Sequence, residues 1–383
     1  MAKPLTMHDL LRNMRVTSAS DLHLKVGMPP IFRIKGELRM PQGMSALSAD
    51  DTKRLLREII PDGMEQRVEE SGDLDFSTFH KTEDGNPDAR PDRFRCNVFR
   101  AGGNWHSAIR RVQPTIPDFE DLGLPAVYRK VADETNEGLV LVIGVTGCGK
   151  STTLACLLER VNQTRGVHII TVEDPIEYQI YPKMSVISQR EIGIDVPNYG
   201  SALKFIVRQD PDVIFIGELR DHDTVLAAVQ AAETGHLVFG SLHAPDTAQC
   251  FGRIVEFFPQ NEHAFIRSAL ANSMKAILAQ RLLPANVEKV PAGVAPATEV
   301  LLTNGSVREK IREAEDNDLP AIINSSRQSG MRSFTHSLAE LVEAEIVNMQ
   351  TALEFAPNRE ALQSLLKGVE VRTSMLVGKI RGG

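Results

Sequence analysis

The sequence predicts an α/β protein: a parallel sheet flanked by helices, preceded by a small α+β domain and followed by a helical segment. Three observations carry that expectation. The middle of the chain alternates short apolar runs with helical stretches, the pattern of βαβ units. A glycine-rich loop ending in Lys150-Ser151 joins one such run to the next helix. Before them, short segments alternate apolar with polar residues, as half-buried strands do.

Taken in order, residues 1–113 form the α+β domain. Ile31-Phe32-Arg33-Ile34 and Phe94-Arg95-Cys96-Asn97-Val98-Phe99 read as strands, and 48–60 reads as a capped amphipathic helix. The polar stretch 80–92, with two prolines and a glycine, reads as a mobile loop between strands. Pro114, Pro117 and Pro125 mark a linker over 114–137. The core follows over 138–303. Its apolar runs 139–145, 168–172, 213–216 and 237–239 read as strands buried on both faces, with helices at 151–162, 201–209 and 223–234. After Pro259 no further strand is expected, and 261–283 reads as one long helix. The segment 304–383 continues with helices at 306–314, 319–329, 334–345 and 358–366. In the first of these, Val307, Ile311 and Ala314 fall on one apolar face.

Composition narrows the function. The chain has 383 residues, with 43 Lys+Arg against 50 Asp+Glu, a formal charge of −7. That balance argues against an obligatory nucleic-acid partner, and 5% aromatic residues disfavour a base-stacking platform. Apolar runs are all too short for a transmembrane helix, so no membrane span is expected. Cys96, Cys148, Cys156 and Cys250 form no C-x-x-C pair; scattered thiols fit a reducing, cytoplasmic setting.

The motif with most chemical content is Gly144-Val145-Thr146-Gly147-Cys148-Gly149-Lys150-Ser151, which fits the phosphate-loop pattern G-x-x-x-x-G-K-[ST]. Its glycines let backbone N–H groups face phosphate oxygens, and the following helix, with Thr152 in its first turn, adds its positive dipole end. Lys150 is expected on the β- and γ-phosphates of ATP and Ser151 on Mg²⁺. Cys148 sits where a helix N-terminus would lower a thiol pKa.

Three further boxes follow. Glu173, Asp174 and Glu177 close an apolar strand, where carboxylates can orient water or hold Mg²⁺. Glu218 follows the run Val213–Ile216 through Gly217, next to the expected Mg²⁺ site. His236 and His243 bracket a short strand; their odd spacing puts them on opposite faces, so no shared metal is expected, and His243 is the one placed to sense the γ-phosphate. Before the linker, Arg93, Arg95, Arg100, Arg110 and Arg111 crowd two strands, an arrangement useful for neutralising phosphate charge at a subunit interface.

In this order and spacing the boxes resemble the signature set of the bacterial type II/IV secretion ATPase superfamily, and within it the retraction ATPases of type IV pili. Further matches are Ala19-Ser20-Asp21-Leu22-His23-Leu24, Gln209-Asp210-Pro211-Asp212, Ala231 through His236, and Gln280-Arg281-Leu282-Leu283-Pro284. The resemblance implies a RecA-like ATPase core behind a PAS-like N-terminal domain. It implies Lys150 and Ser151 on phosphate and Mg²⁺, and Glu173, Asp174 and Glu177 beside the attacking water, with Glu177 as base. Glu218 would hold Mg²⁺ through water and His243 contact the γ-phosphate. A homo-hexameric ring is implied, with Arg95 and Arg110 acting across a subunit boundary. Partners would be an inner-membrane pilus platform protein and a paralogous pilus ATPase, the ring being peripherally associated with the inner-membrane machine. The alternative is an assembly or secretion ATPase of the same superfamily, and more remotely a nucleic-acid motor. The sequence departs from the family at Val145 and Cys148, where Pro and Ser are usual, and at 307–314, where the A-I-R-N-L-I-R-E signature is replaced by V-R-E-K-I-R-E-A.

Overall fold

The computed structural model describes residues 4–80, 91–112 and 115–368; the loop expected at 80–92 falls, over 81–90, outside them. The chain folds as two compact units, the first made of Met1–Thr115, Ile176–Gln179 and Gly193–Asp195, the second of the remainder.

In the first unit, α1 (Met7–Val16) starts at a Thr6–Asp9 capping box and buries Met7, Leu10, Leu11 and Met14, one stripe at helical spacing. Then come β1 (Asp21–Leu24), β2 (Ile31–Ile34), β3 (Glu37–Arg39), α2 (Ala49–Arg57), α3 (Glu65–Ser71), β4 (Asp73–His80), β5 (Asp92–Ala101) and β6 (Asn104–Arg111). A Ser48–Asp51 capping box opens α2. The strands form an antiparallel sheet in the order β3-β2-β1-β6-β5-β4. Period-two alternation sends Leu22, Leu24, Phe94, Cys96, Val98 and Ile109 into the core. Asp21, Arg110 and Arg95 sit in register across β1, β6 and β5 on the other face.

The second unit begins in the stretch expected to be linker. There α4 (Ala126–Glu134) buries Tyr128, Val131 and Ala132 against the sheet that follows, so this segment is part of a core. Prolines suggest a connector, but Pro125 is the residue just before the helix, where its fixed φ costs nothing. Next are β7 (Gly138–Ile143), α5 (Lys150–Thr164), β8 (His168–Glu173), β9 (Val186–Glu191), α6 (Tyr199–Ile206), β10 (Val213–Ile216), α7 (His222–Glu233), β11 (Leu237–Leu242), α8 (Thr247–Val255) and α9 (His263–Ser273). Then follow β12 (Met274–Pro284), β13 (Val294–Leu302), α10 (Gly305–Glu313), α11 (Leu319–Ser325), α12 (Phe334–Glu343), α13 (Met349–Phe355) and α14 (Arg359–Leu366). The sheet order is β13-β12-β7-β11-β10-β8-β9, parallel except for the β12–β13 pair. Both faces are covered. Leu139, Leu141 and Ile143 of β7 face one core with α7 and α9, while Val140 and Val142 face the other with α4 and α5. The α/β fold class holds, with a preceding α+β unit and C-terminal helices.

The long helix expected at 261–283 is wrong, and so is the expectation that strands stop at Pro259. α9 ends at Ser273, and β12 runs parallel to β7 and antiparallel to β13 over nine paired positions, Ala276–Pro284. The reason is quantitative. Ala, Leu, Gln and Arg favour helix by a few tenths of a kcal/mol each. Burying Met274, Ile277, Leu278 and Leu283 contributes roughly 2 kcal/mol apiece, and β7 would otherwise expose an unpaired edge. In α10, Val307 and Ile311 are buried as expected, but Ala314 caps the helix at φ +59° and is exposed, so the apolar face is one residue shorter than expected; Arg312 donates to Asn272 Oδ1 at 2.6 Å.

Candidate active site

A parallel sheet delivers the ends of its strands to one edge, and here four adjacent strands deliver the four boxes. The order β7, β11, β10, β8 places Gly144, His243, Glu218 and Asp174 just beyond the C-terminal strand ends, where α/β sheets bind ligands.

The loop is built from its glycines. Gly144 has φ +152° and Gly149 φ +89°, backbone states that favour glycine. A Cβ on Gly144 would lie 2.5 Å from both Cys148 Sγ and the Gln280 carbonyl oxygen, so a side chain there would collide with the loop and with β12. Gly147, at φ +80°, has open space around it. Lys150, first residue of α5, folds its Nζ back to donate to the carbonyls of Gly144 at 3.0 Å and Val145 at 3.2 Å. Val145 and Thr146 are exposed, and Ser151 and Thr152 are half-buried in the first turn of α5.

The acidic boxes separate into different tasks. Glu173 is buried and its Oε1 accepts from Thr171 Oγ1 at 2.6 Å and Gln189 Nε2 at 3.1 Å. This carboxylate ties β8 to β9, which fits an anchor better than the water-orienting group expected of it. Asp174 is exposed and lies 3.6 Å from Arg220 Nη1, whose guanidinium stands 5.0 Å from the Tyr199 ring centre. Glu177 is exposed and belongs to Ile176–Gln179, which groups with the first unit. Gly217 N–H donates to Val172 O at 2.8 Å, and its carbonyl accepts from Ser241 Oγ at 2.5 Å. A Cβ at Gly217 would come within 2.9 Å of the Tyr199 hydroxyl, so glycine lets β10 pass close to its neighbours. Glu218 follows, and its Oε1 lies 3.3 Å from His243 Nε2, both side chains about 40% exposed (39% and 43%).

Not every expected residue reaches this edge. His236 precedes β11 at the opposite end of the sheet, roughly 20 Å away by strand rise, and its Nδ1 sits 3.0 Å from the Ala231 carbonyl. Within one chain the sheet therefore holds it away from the loop, and it shapes the α7–β11 turn. Cys148 is 2% exposed, and burial pushes its thiol pKa up, beyond what the Lys150 charge and backbone N–H groups recover. Burial thus disfavours the thiolate expected at this helix N-terminus. Among the arginines, Arg93 and Arg111 are drawn inward, to Ser77 Oγ and to Asp92 at 2.8 Å. Arg110 stays largely exposed with its Nε 2.8 Å from Asp21, and Arg95 stands opposite it in register. Asp21 is held below the usual carboxylate range: burial acts upward, but hydrogen bonds from Ser20 and Arg110 together outweigh it.

Two residues enter the sequence reading only as part of a family match, with no role attached. Gln280, 2% exposed on β12, donates from Nε2 to the Cys148 carbonyl at 2.7 Å and accepts from Thr153 Oγ1 at 3.0 Å. Its neighbour Arg281 donates to Phe355 O at 2.6 Å and Pro245 O at 3.3 Å, and stands 4.3 Å from the Phe334 ring centre. Reading this stretch as helix hides the alternation that sends the two side chains to opposite faces.

Hard oxygen donors suit Mg²⁺, and Ser151 and Glu218 offer a hydroxyl and an accessible carboxylate at this edge. Among the described residues no group of three or more His, Cys, Asp or Glu side chains could hold a metal, so an ion here would draw its other ligands from water and phosphate. Also among the described residues, no helix is long and apolar enough to cross a membrane.

Comparison with known proteins is consistent across sequence and structure. The family model described as type II/IV secretion system protein matches residues 108–332. A Pseudomonas aeruginosa protein described as "Type IV pilus retractation ATPase PilT" is 36% identical over 338 residues, 88% of this chain and 94% of that protein. A twitching motility protein of Neisseria gonorrhoeae is 35% identical over 87% of this chain and 86% of its own length. The crystal structure of the pilus retraction motor PilT with bound ADP superposes with a TM-score of 0.82 at 37% identity, covering 94% of this chain and 99% of that one.

Proposed function

The chain belongs to the type II/IV secretion system protein family, and on that premise we propose that it is an ATP-hydrolysing motor that drives retraction of type IV pili. The observation that carries the reading is the meeting of the phosphate loop, Glu218, His243 and Asp174 at one edge of one sheet.

On this reading the residues take the following roles. Backbone N–H groups of 145–151 and the α5 dipole bind the phosphates. Lys150 exchanges its two carbonyl contacts for β- and γ-phosphate oxygens, a short swing because those carbonyls belong to the loop itself. Ser151 and Glu218 would hold Mg²⁺, which would supply neutralisation of the phosphate charge. His243, already beside Glu218, orients toward the γ-phosphate and reports its presence. Glu177 takes the proton of the attacking water. Because phosphoryl transfer is mostly positioning and charge neutralisation, cations from a neighbouring copy complete the site. Arg110 and Arg95 are the candidates, in a homo-hexamer on the cytoplasmic face of an inner-membrane pilus platform protein.

The direct test is Mg²⁺-dependent phosphate release by the full-length chain, abolished together with nucleotide binding in Lys150→Ala. Phosphate release at background level from the wild-type protein would overturn the ATPase reading. Deletion of the gene separates retraction from assembly: excess surface pili support retraction, and bald cells support the assembly alternative.

A further inference from the structure

The phosphate loop does not stand alone: β12 reaches it at three points. The Gln280 side-chain amide donates to the Cys148 carbonyl, its oxygen takes the Thr153 hydroxyl, and both groups lie in the interior. The Gln280 main-chain oxygen crowds Gly144, leaving 2.5 Å for an added Cβ, and its Nε2 crowds Gly149, leaving 3.2 Å. One residue of a neighbouring strand therefore touches the first glycine, the last glycine and the first turn of α5.

The peptide plane converts this contact into an aim. In a trans peptide the carbonyl and the next N–H point in opposite directions. Holding the Cys148 carbonyl against β12 turns the Gly149 N–H away from β12. We propose that Gln280 is a positioning residue for nucleotide binding: it fixes the Cys148–Gly149 peptide so that its N–H donates to phosphate. This rests on the ATP-binding reading above and specifies which residue outside the loop sets its shape. Without Gln280 the carbonyl has no buried partner and the plane can rotate, withdrawing one donor. A glutamine suits this task because one planar amide supplies the donor for the carbonyl and the acceptor for the hydroxyl at once.

The experiment is titration of the full-length protein with a fluorescent ADP analogue. Gln280→Leu is expected to weaken binding about tenfold, the effect of one hydrogen bond lost in a dry site. Thr153→Val is expected to weaken it about threefold, with Thr153→Ser restoring it. Gln280→Glu keeps the shape but faces a carboxylate toward the Cys148 carbonyl. Its affinity should recover as pH falls, since a protonated carboxyl donates again. A merely structural role lowers the melting temperature without that pH-dependent recovery, and this distinguishes the two even where Gln280→Leu folds poorly. Wild-type affinity in Gln280→Leu, or a Gln280→Glu affinity that does not respond to pH, overturns the proposal while leaving the ATPase reading intact. No binding by the wild-type protein overturns both.

Discussion

Cys148 shows how strongly a single environment can reverse a local rule. A helix N-terminus and an adjacent lysine favour a thiolate, yet Cys148 is buried and its pKa is raised, chiefly by that burial. Burial disfavours the thiolate, the reactive form. Little alkylation of Cys148 by iodoacetamide is expected in the native protein, and mass spectrometry of the loop peptide measures it directly. The other cysteines are likewise buried and unbridged, so rapid native labelling of any of the four would contradict the structure. Glu218 is the opposite case, an accessible carboxylate whose Oε1 lies 3.3 Å from His243 Nε2. Glu218→Gln should retain ADP binding and lose turnover by at least about a hundredfold, the scale of removing one group that stabilises developing charge. Equal loss of binding and turnover would show that Glu218 shapes the site rather than the reaction.

Elements are legible where one signal dominates. The strand Gly138–Ile143 is buried at every position and reads as a continuous apolar run, and the phosphate loop follows from its glycines. The edge strand β9 gives no such signal. Val186–Glu191 carries Ser, Gln, Arg and Glu among its six residues, a composition an edge strand tolerates because one side meets solvent. β12 reads as helix because its residues are good helix formers, and burial together with the unpaired edge of β7 decides otherwise. The site is legible to the same degree: motif residues at strand ends declare their chemistry, while Gln280 appears only as part of a matching stretch, because its role depends on a neighbouring strand. The C-terminal helices are secured by specific pairs as well as by apolar faces. Arg267 of α9 meets Asp316 in a two-pronged contact of 2.9 and 2.8 Å with both side chains mostly buried, and also caps the Ile311 carbonyl at 3.2 Å. Arg267→Ala leaves that carboxylate uncompensated and should cost about 2 kcal/mol, lowering the melting midpoint by roughly 4–8 °C. A shift below about 1 °C would show that solvent replaces the arginine without penalty.

At the scale of the whole molecule, the first unit presents Arg110 and Arg95 on the sheet face opposite its own core. If a neighbouring copy uses them, activity belongs to an assembly. Lys150→Ala and Arg110→Ala proteins, each inactive, should regain partial ATPase activity on mixing, because some interfaces then pair an intact loop with an intact arginine. Strictly zero activity in an assembled mixture, or a monomer mass by sedimentation at micromolar protein with an ATP analogue, would count against this. The second unit adds a constraint of its own through β12. Gln280 grips the phosphate loop from one side of the strand, and Arg281 grips the Pro245 segment, the end of α13 and the Phe334 ring from the other. An extended chain bonded along both edges is a stiff beam, and these two side chains are rivets on opposite flanges one residue apart. The phosphate loop and the C-terminal helices are thereby fastened to one strand at points a single peptide apart.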